Sequence, residues 1–232
     1  MRMLGLMLAL VLAASGALPA AADNGKAGVF DYYTLVLSWS PTFCEGNTKD
    51  GDGPQCSGKR PYAFVLHGLW PQYEKGYPDS CRIGKKPWVP GPLIDSMLDI
   101  MPSPKLVIHA YRKHGTCSGL DPNGYFALAR KLYDKIKIPQ DFVAPGQEIV
   151  TTPGLIEAAF LAANPGLTAE MLSVACGRRD RVREVRVCFT RDGDLRSCGR
   201  NEAQERLCRS EKVTMPPVRG RAPSTGSSLS NI

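Results

Sequence analysis

The sequence predicts an α+β domain: a central, largely antiparallel sheet with helices packed on one face, held by four disulfides. Three observations predict it. Strand-type alternation appears near both ends of the chain, at 32–39 and 185–189, and helical periodicity fills the middle, from 93 to 163. The chain has eight cysteines, an even number, all beyond residue 43. Strands, then helices, then strands is the order expected when helices cover one face of an antiparallel sheet.

The first 22 residues stand apart from that domain. Arg2 gives a positive start, Leu4 to Leu18 is apolar, and Ala20-Ala21-Ala22 supplies small residues for cleavage. This is the pattern of a secretory signal peptide, 1–22. The apolar run is too short for a membrane anchor. About 210 residues follow, enough for one well-buried domain, placed at 23–212. Residues 213–232 are rich in Pro, Gly and Ser, with Arg219 and Arg221 and no acid after Lys212, and read as a disordered basic tail. An export address with no other signal leaves the periplasm and the medium as destinations. The Ala-rich leader looks bacterial and favours the periplasm. Nothing in the chain demands more than a monomer.

Within the domain, Tyr33, Leu35, Leu37 and Trp39 fall on one face of a strand, and Thr34, Val36 and Ser38 on the other. Residues 44–59 read as a loop closed by Cys44–Cys56. Tyr62 to Leu66 reads as a second strand, buried on both faces, with His67 following its end. Helices are expected at Leu93–Met101, ended by Pro102, and at Leu106–His114, stopped by Gly115. Others are expected at Tyr125–Ile136, at Leu155–Ala163, and from an N-cap at Thr168 through Val174. Val185, Val187 and Phe189 alternate with Arg186, Cys188 and Thr190, and Asp192-Gly193 signals a hairpin leading to Leu195. Cys188 and Cys198 flank that turn and are placed to close it, with Cys176 and Cys208 as an outer, nested pair.

Charge and cysteines limit the function classes. Of 29 Lys and Arg residues one, Arg2, lies in the leader, leaving 28 against 22 acids. That surplus suits an anionic partner without identifying it. An exported chain meets an oxidising compartment, where disulfides are the default use of cysteine. No C-x-x-C or paired-His spacing points to zinc.

The chain has three histidines, His67, His109 and His114. A histidine at a strand end or helix end is often purely structural, but these have informative neighbours. His67 opens His-Gly-Leu-Trp-Pro, where Gly68 permits close approach and Trp70 offers a ring. His114 follows Lys113 and precedes Gly115 and Cys117. Two neutral-range bases with a lysine suit cleavage of RNA by its own 2′-OH. That reaction needs a base for the hydroxyl proton, an acid for the leaving 5′-oxygen and a cation for charge on phosphorus oxygens. The nucleophile belongs to the substrate, and the chain has no G-x-S-x-G elbow. Every cysteine is available for a bridge. Metal-assisted hydrolysis wants clustered carboxylates, and none lies near these histidines in sequence.

At these residues the chain resembles the ribonuclease T2 family. One family segment, H-G-L-W-P, stands intact at His67 to Pro71. The other, roughly H-E-W-x-K-H-G-T-C, matches His109 to Cys117. Leu37 to Cys44 is similar to a third family stretch, so the likeness is sharp over about 30–120. The resemblance implies cleavage of single-stranded RNA to 2′,3′-cyclic phosphate ends, with weak base preference and no cofactor or metal. It implies His114 as general base, His67 as general acid and Lys113 as stabiliser of the phosphorane. His109 would hold the phosphate and Trp70 would pack against a base. It also implies a Cys81–Cys117 bridge, and fits Cys176–Cys208 and Cys188–Cys198. One departure stands out: Ala110 occupies the position of the family's usual Glu. On a regular helix, 110 lies one turn before 114 and on its side, so a reduced or differently tuned enzyme is expected.

Overall fold

The computed structural model describes residues 25–46, 53–56 and 60–218. The predicted leader and residues 219–232 of the predicted tail lie outside the described residues. The strands are β1 (Tyr32–Trp39), β2 (Phe64–Gln72), β3 (Ile149–Thr151), β4 (Leu172–Cys176), β5 (Val182–Phe189) and β6 (Val213–Met215). Four of them form an antiparallel sheet in the order β2-β1-β5-β4, and β3 pairs with β6 in a second, two-stranded sheet. The helices are α1 (Ser40–Gly46), α2 (Gly53–Cys56), α3 (Gly91–Met97), α4 (Pro104–Ala110), α5 (Thr116–Ser118), α6 (Pro122–Lys135), α7 (Pro153–Ala163) and α8 (Gln204–Leu207).

The alternation in β1 does what its pattern predicts. Tyr33, Leu35, Leu37 and Trp39 enter one apolar cluster with Leu66 and Leu69 of β2, Val174 of β4, and Val185 and Val187 of β5. The helices complete that cluster with Phe126, Ala129 and Leu132 of α6 and Ile156 and Phe160 of α7. Each large side chain removed from water there contributes roughly 1.5–3 kcal/mol. Tyr125 pins α6 to the sheet by donating to the Leu69 carbonyl at 2.8 Å. On the other sheet face Val36 pairs with Arg186 and Ser38 with Glu184. That face is also covered, so all of β1 is buried.

The four disulfides are Cys44–Cys56, Cys81–Cys117, Cys176–Cys208 and Cys188–Cys198, and no cysteine is free among the described residues. No described helix is long and apolar enough to cross a membrane.

Several expected elements change. The second strand is not confined to Tyr62–Leu66. It starts at Phe64 and continues through the whole His-Gly-Leu-Trp-Pro segment. The helix expected at Leu93–Met101 starts earlier and ends at Met97. The loop expected at 44–59 contains the end of α1 and all of α2. The helix expected from Thr168 to Val174 is a single 3-10 turn, Ala169–Met171, followed by β4. Helix-forming residues there are overridden by pairing of Leu172 and Val174 with Val187 and Val185. The disordered tail cannot begin at 213. β6 pairs with β3, and Val213, Met215 and Val218 are buried.

Gly115 does not stop the helix that carries His109 and His114. After α4 the chain widens into a π-turn, Tyr111–Gly115, where the Thr116 N–H donates to the Tyr111 carbonyl. The helix then continues as α5 and stops at Gly119, whose φ of 80° belongs to the left-handed region. Ser103 caps the start, accepting from the Leu106 N–H, with Pro104 in the first turn.

Candidate active site

Two local irregularities place the histidines. In the β1–β2 ladder Val36 pairs with Gly68 and Leu37 with Leu66, so His67 is the extra residue of a β-bulge. A bulge re-aims a side chain and is common beside active sites. In the helix, a regular α-turn would separate residues five apart to different sides. The π-turn, with its i to i+5 hydrogen bond, brings His109 and His114 together, their rings 6.5 Å apart and edge to face.

Ala110 immediately precedes that turn. Its side chain is buried in the apolar cluster, and a Cβ placed on Gly68 would stand 3.8 Å from it.

His67, Trp70, His109, Lys113 and His114 all line one cavity of about 340 Å³, together with Gln72, Tyr77, Arg186, Asn201 and Arg206. A neighbouring cavity of about 330 Å³ shares His67 and His109 and is also lined by Ser38, Phe43, Gln55 and Lys105. The two histidines at the divide thus face recesses on both sides.

His114 is 7 % exposed, and its Nδ1 is buried with no hydrogen-bond partner among the described residues. Its ring is stacked on Trp70, with centroids 4.7 Å apart and planes at 17°. Burial, with His67, Lys113, His109 and Arg186 as neighbouring positive groups, lowers its pKa to about 2. The ring is therefore neutral and basic in form at neutral pH. His109, nearer the surface, is also lowered, by partial burial and then by Lys113 and His67. Lys113 is half-exposed and faces Asp79 at 3.9 Å. Its carbonyl accepts from the Ser80 N–H at 2.7 Å, and the Cys81–Cys117 bridge ties that loop to the helix.

Trp70 is present in the cavity, but its ring is engaged by the protein. His114 stacks on it, the Arg186 guanidinium lies over it at 5.0 Å, and His67 meets it edge to face at 5.3 Å. A Cβ on Gly68 would approach the Trp70 indole nitrogen to 2.8 Å, so only glycine lets the indole lie against the strand. Tyr77, 59 % exposed, presents its ring in the same cavity.

Sequence reasoning missed Tyr77, Glu184, Arg186, Asn201 and Arg206. No carboxylate stands near the histidines in sequence, yet the fold brings Glu184 to His67 across 117 residues, with Oε1 3.3 Å from Nδ1. The available signal was charge inside a strand: Glu184 and Arg186 alternate with Val185 and Val187, and such positions seldom hold charge unless paired. Among the described residues no three of His, Cys, Asp and Glu form a group able to hold a metal.

Residues 30–198 match the sequence model of the Ribonuclease T2 family. The chain belongs to the ribonuclease T2 family. It is 38 % identical over 189 residues to a ribonuclease of Aeromonas hydrophila, covering 79 % of this chain and 82 % of that one. It is also 38 % identical over 129 residues to a probable ribonuclease of Haemophilus influenzae, covering 50 % of this chain and 47 % of that one. Its fold is similar to that of trichomaglin, an S-like ribonuclease, at a TM-score of 0.64 and 23 % identity, covering 82 % and 99 % of the two chains. As a T2-type protein it is an endoribonuclease, and RNA is its substrate class. Four disulfides in a chain with such bacterial relatives suit an exported protein.

Proposed function

We propose that this T2 ribonuclease cuts single-stranded RNA by transesterification, with two histidines as base and acid and without a metal. The observation that carries the reading is the convergence of a neutral, buried His114, a carboxylate-paired His67 and Lys113 on one cleft. His114 takes the proton of the 2′-OH, and its oxygen bonds to phosphorus. As the bond from phosphorus to the 5′-oxygen breaks, His67 gives that oxygen a proton. The products are a 2′,3′-cyclic phosphate and a free 5′-OH. Lys113 and His109 face the phosphorus oxygens and offset their growing charge. Binding of the phosphodiester brings an anion against the cations around His114 and moves its ring back toward the ordinary histidine range.

Trp70 braces His114 in this reading, and the exposed ring of Tyr77 offers the stacking surface for a base. Recesses on both sides of His67 and His109 suit the nucleotides flanking the scissile phosphate. Mostly shape and stacking contacts suit a low base specificity. We further propose that residues 1–22 direct export, to the periplasm or the medium, and that the enzyme acts as a monomer.

The attacking group supplies the test. An oligonucleotide with a single ribose in an otherwise 2′-deoxy strand should be cut only on the 3′ side of that ribose. Cutting of the all-deoxy strand would mean that water or a protein group attacks, and would defeat the reading.

A further inference from the structure

Glu184 is the one carboxylate within hydrogen-bonding distance of any of the three histidines among the described residues. It sits at a central position of the sheet, on β5 opposite Ser38 of β1, with its side chain 5 % exposed. Its Oε1 faces His67 Nδ1 at 3.3 Å and Arg183 Nε at 3.6 Å. Its Oε2 accepts two hydrogen bonds from Arg186, from Nε at 3.0 Å and from Nη2 at 2.8 Å. Two charged donors of one guanidinium converging on one oxygen hold the carboxylate in direction as well as in charge. Arg186 is itself held, over the Trp70 ring and 3.8 Å from Glu202.

A sheet gains little from this arrangement. Burying a carboxylate and a guanidinium carries a desolvation cost that their attraction roughly returns, and apolar residues would serve the fold as well. What the pair does supply is an oriented acceptor aimed at one nitrogen of a ring that projects from a bulge. With Nδ1 committed to Glu184, Nε2 is the nitrogen of His67 left for the cleft.

We infer that Glu184, held by Arg186, is the positioning residue of His67: it keeps the proton on Nδ1 and turns Nε2 toward the leaving 5′-oxygen. The inference rests on the reading of His67 as general acid. The orientation matters only in the step where the bond from phosphorus to the 5′-oxygen breaks and Nε2 gives up its proton. Carbonyl-bound or carboxylate-bound imidazoles are oriented in this way in metal sites and catalytic triads, where losing the outer partner costs about 10–100-fold.

Leaving-group dependence separates this role from a structural one. A 4-nitrophenolate leaves without a proton, whereas a nucleoside 5′-oxygen needs one. Glu184→Gln should therefore lose about 10-fold to 10²-fold on a diribonucleoside monophosphate. On a ribonucleoside 3′-(4-nitrophenyl phosphate) it should lose only a few-fold, which also shows that the variant is folded. His67→Ala, measured on the same pair, should show the same split more strongly. If His67→Ala loses both substrates equally, the acid assignment itself falls. If His67→Ala splits the substrates and Glu184→Gln does not, His67 keeps its role and the present inference is overturned. Should Glu184→Gln fail to fold, nitrogen NMR of the wild-type protein with labelled histidine decides. The neutral His67 ring protonated at Nδ1 agrees, and protonation at Nε2 overturns the inference.

Discussion

On the proposed mechanism, His114→Ala should lower the rate of RNA cleavage by roughly 10²-fold to 10⁴-fold, the usual cost of a lost general base. The size follows from what the cleft leaves in place. In that mechanism Lys113 and His109 still face the phosphate, but no group remains to accept the 2′-OH proton. His109 is not a substitute, although its ring is 6.5 Å from that of His114, because it stands on the exposed side of the pair. The loss should fall on kcat much more than on KM, since the 2′-OH proton is transferred only in the chemical step. Steady-state kinetics on a dinucleotide measure both. A variant that keeps wild-type kcat would remove His114 from the chemistry.

Acid destabilises the folded protein sooner than its carboxylates alone require. His114 has a folded-state pKa of about 2 against an ordinary value of 6.5, because it is buried and ringed by positive groups. Unfolded, the same ring protonates freely. The unfolded chain thus binds the extra proton, and stability falls as pH drops below about 6.5, by about 1.4 kcal/mol per pH unit. Between pH 6.5 and 5 the loss is about 2 kcal/mol. Glu184 adds a second stage at lower pH. Burial alone would raise its pKa, but the His67 hydrogen bond and the Arg186 and Arg183 charges hold it at about 2, below its ordinary 4.5. Its contribution is present above the ordinary carboxylate range and is lost as pH falls toward 2. Urea unfolding at pH 7 and pH 5 should show the first stage in the wild type. His114→Phe, which keeps a ring against Trp70, should reduce it, leaving the smaller share that His109 contributes. An equal pH slope in both proteins would mean that His114 is protonated in the fold.

Much of this was legible in the sequence, for physical reasons that differ by element. β1 and β5 announce themselves because strand alternation is a local property, and four cysteine pairs follow from spacing and likeness. The two histidine segments are legible for the same reason, since each places its chemistry within a few residues. The segment 168–174 misleads because its residues favour a helix in isolation while β5 offers a ladder to pair with. Residues 213–218 mislead because composition suggests a tail, and only the fold shows that β3 needs a partner. The π-turn at Tyr111–Gly115 has no local signature, yet it lies between His109 and His114, whose rings meet edge to face. Glu184 was invisible as a site residue because its relation to His67 spans 117 residues.

In the proposed mechanism histidines alone move the protons and the RNA supplies the nucleophile. Its most direct test is cleavage of single-stranded RNA by the oxidised protein in excess EDTA, with the new ends identified. Undiminished cutting and 2′,3′-cyclic phosphate at the 3′ ends are expected. A loss of at least about 10²-fold is expected in His67→Ala under the same conditions. Cutting that EDTA abolishes, or ends that carry only a 5′-phosphate and a 3′-OH, would contradict the mechanism.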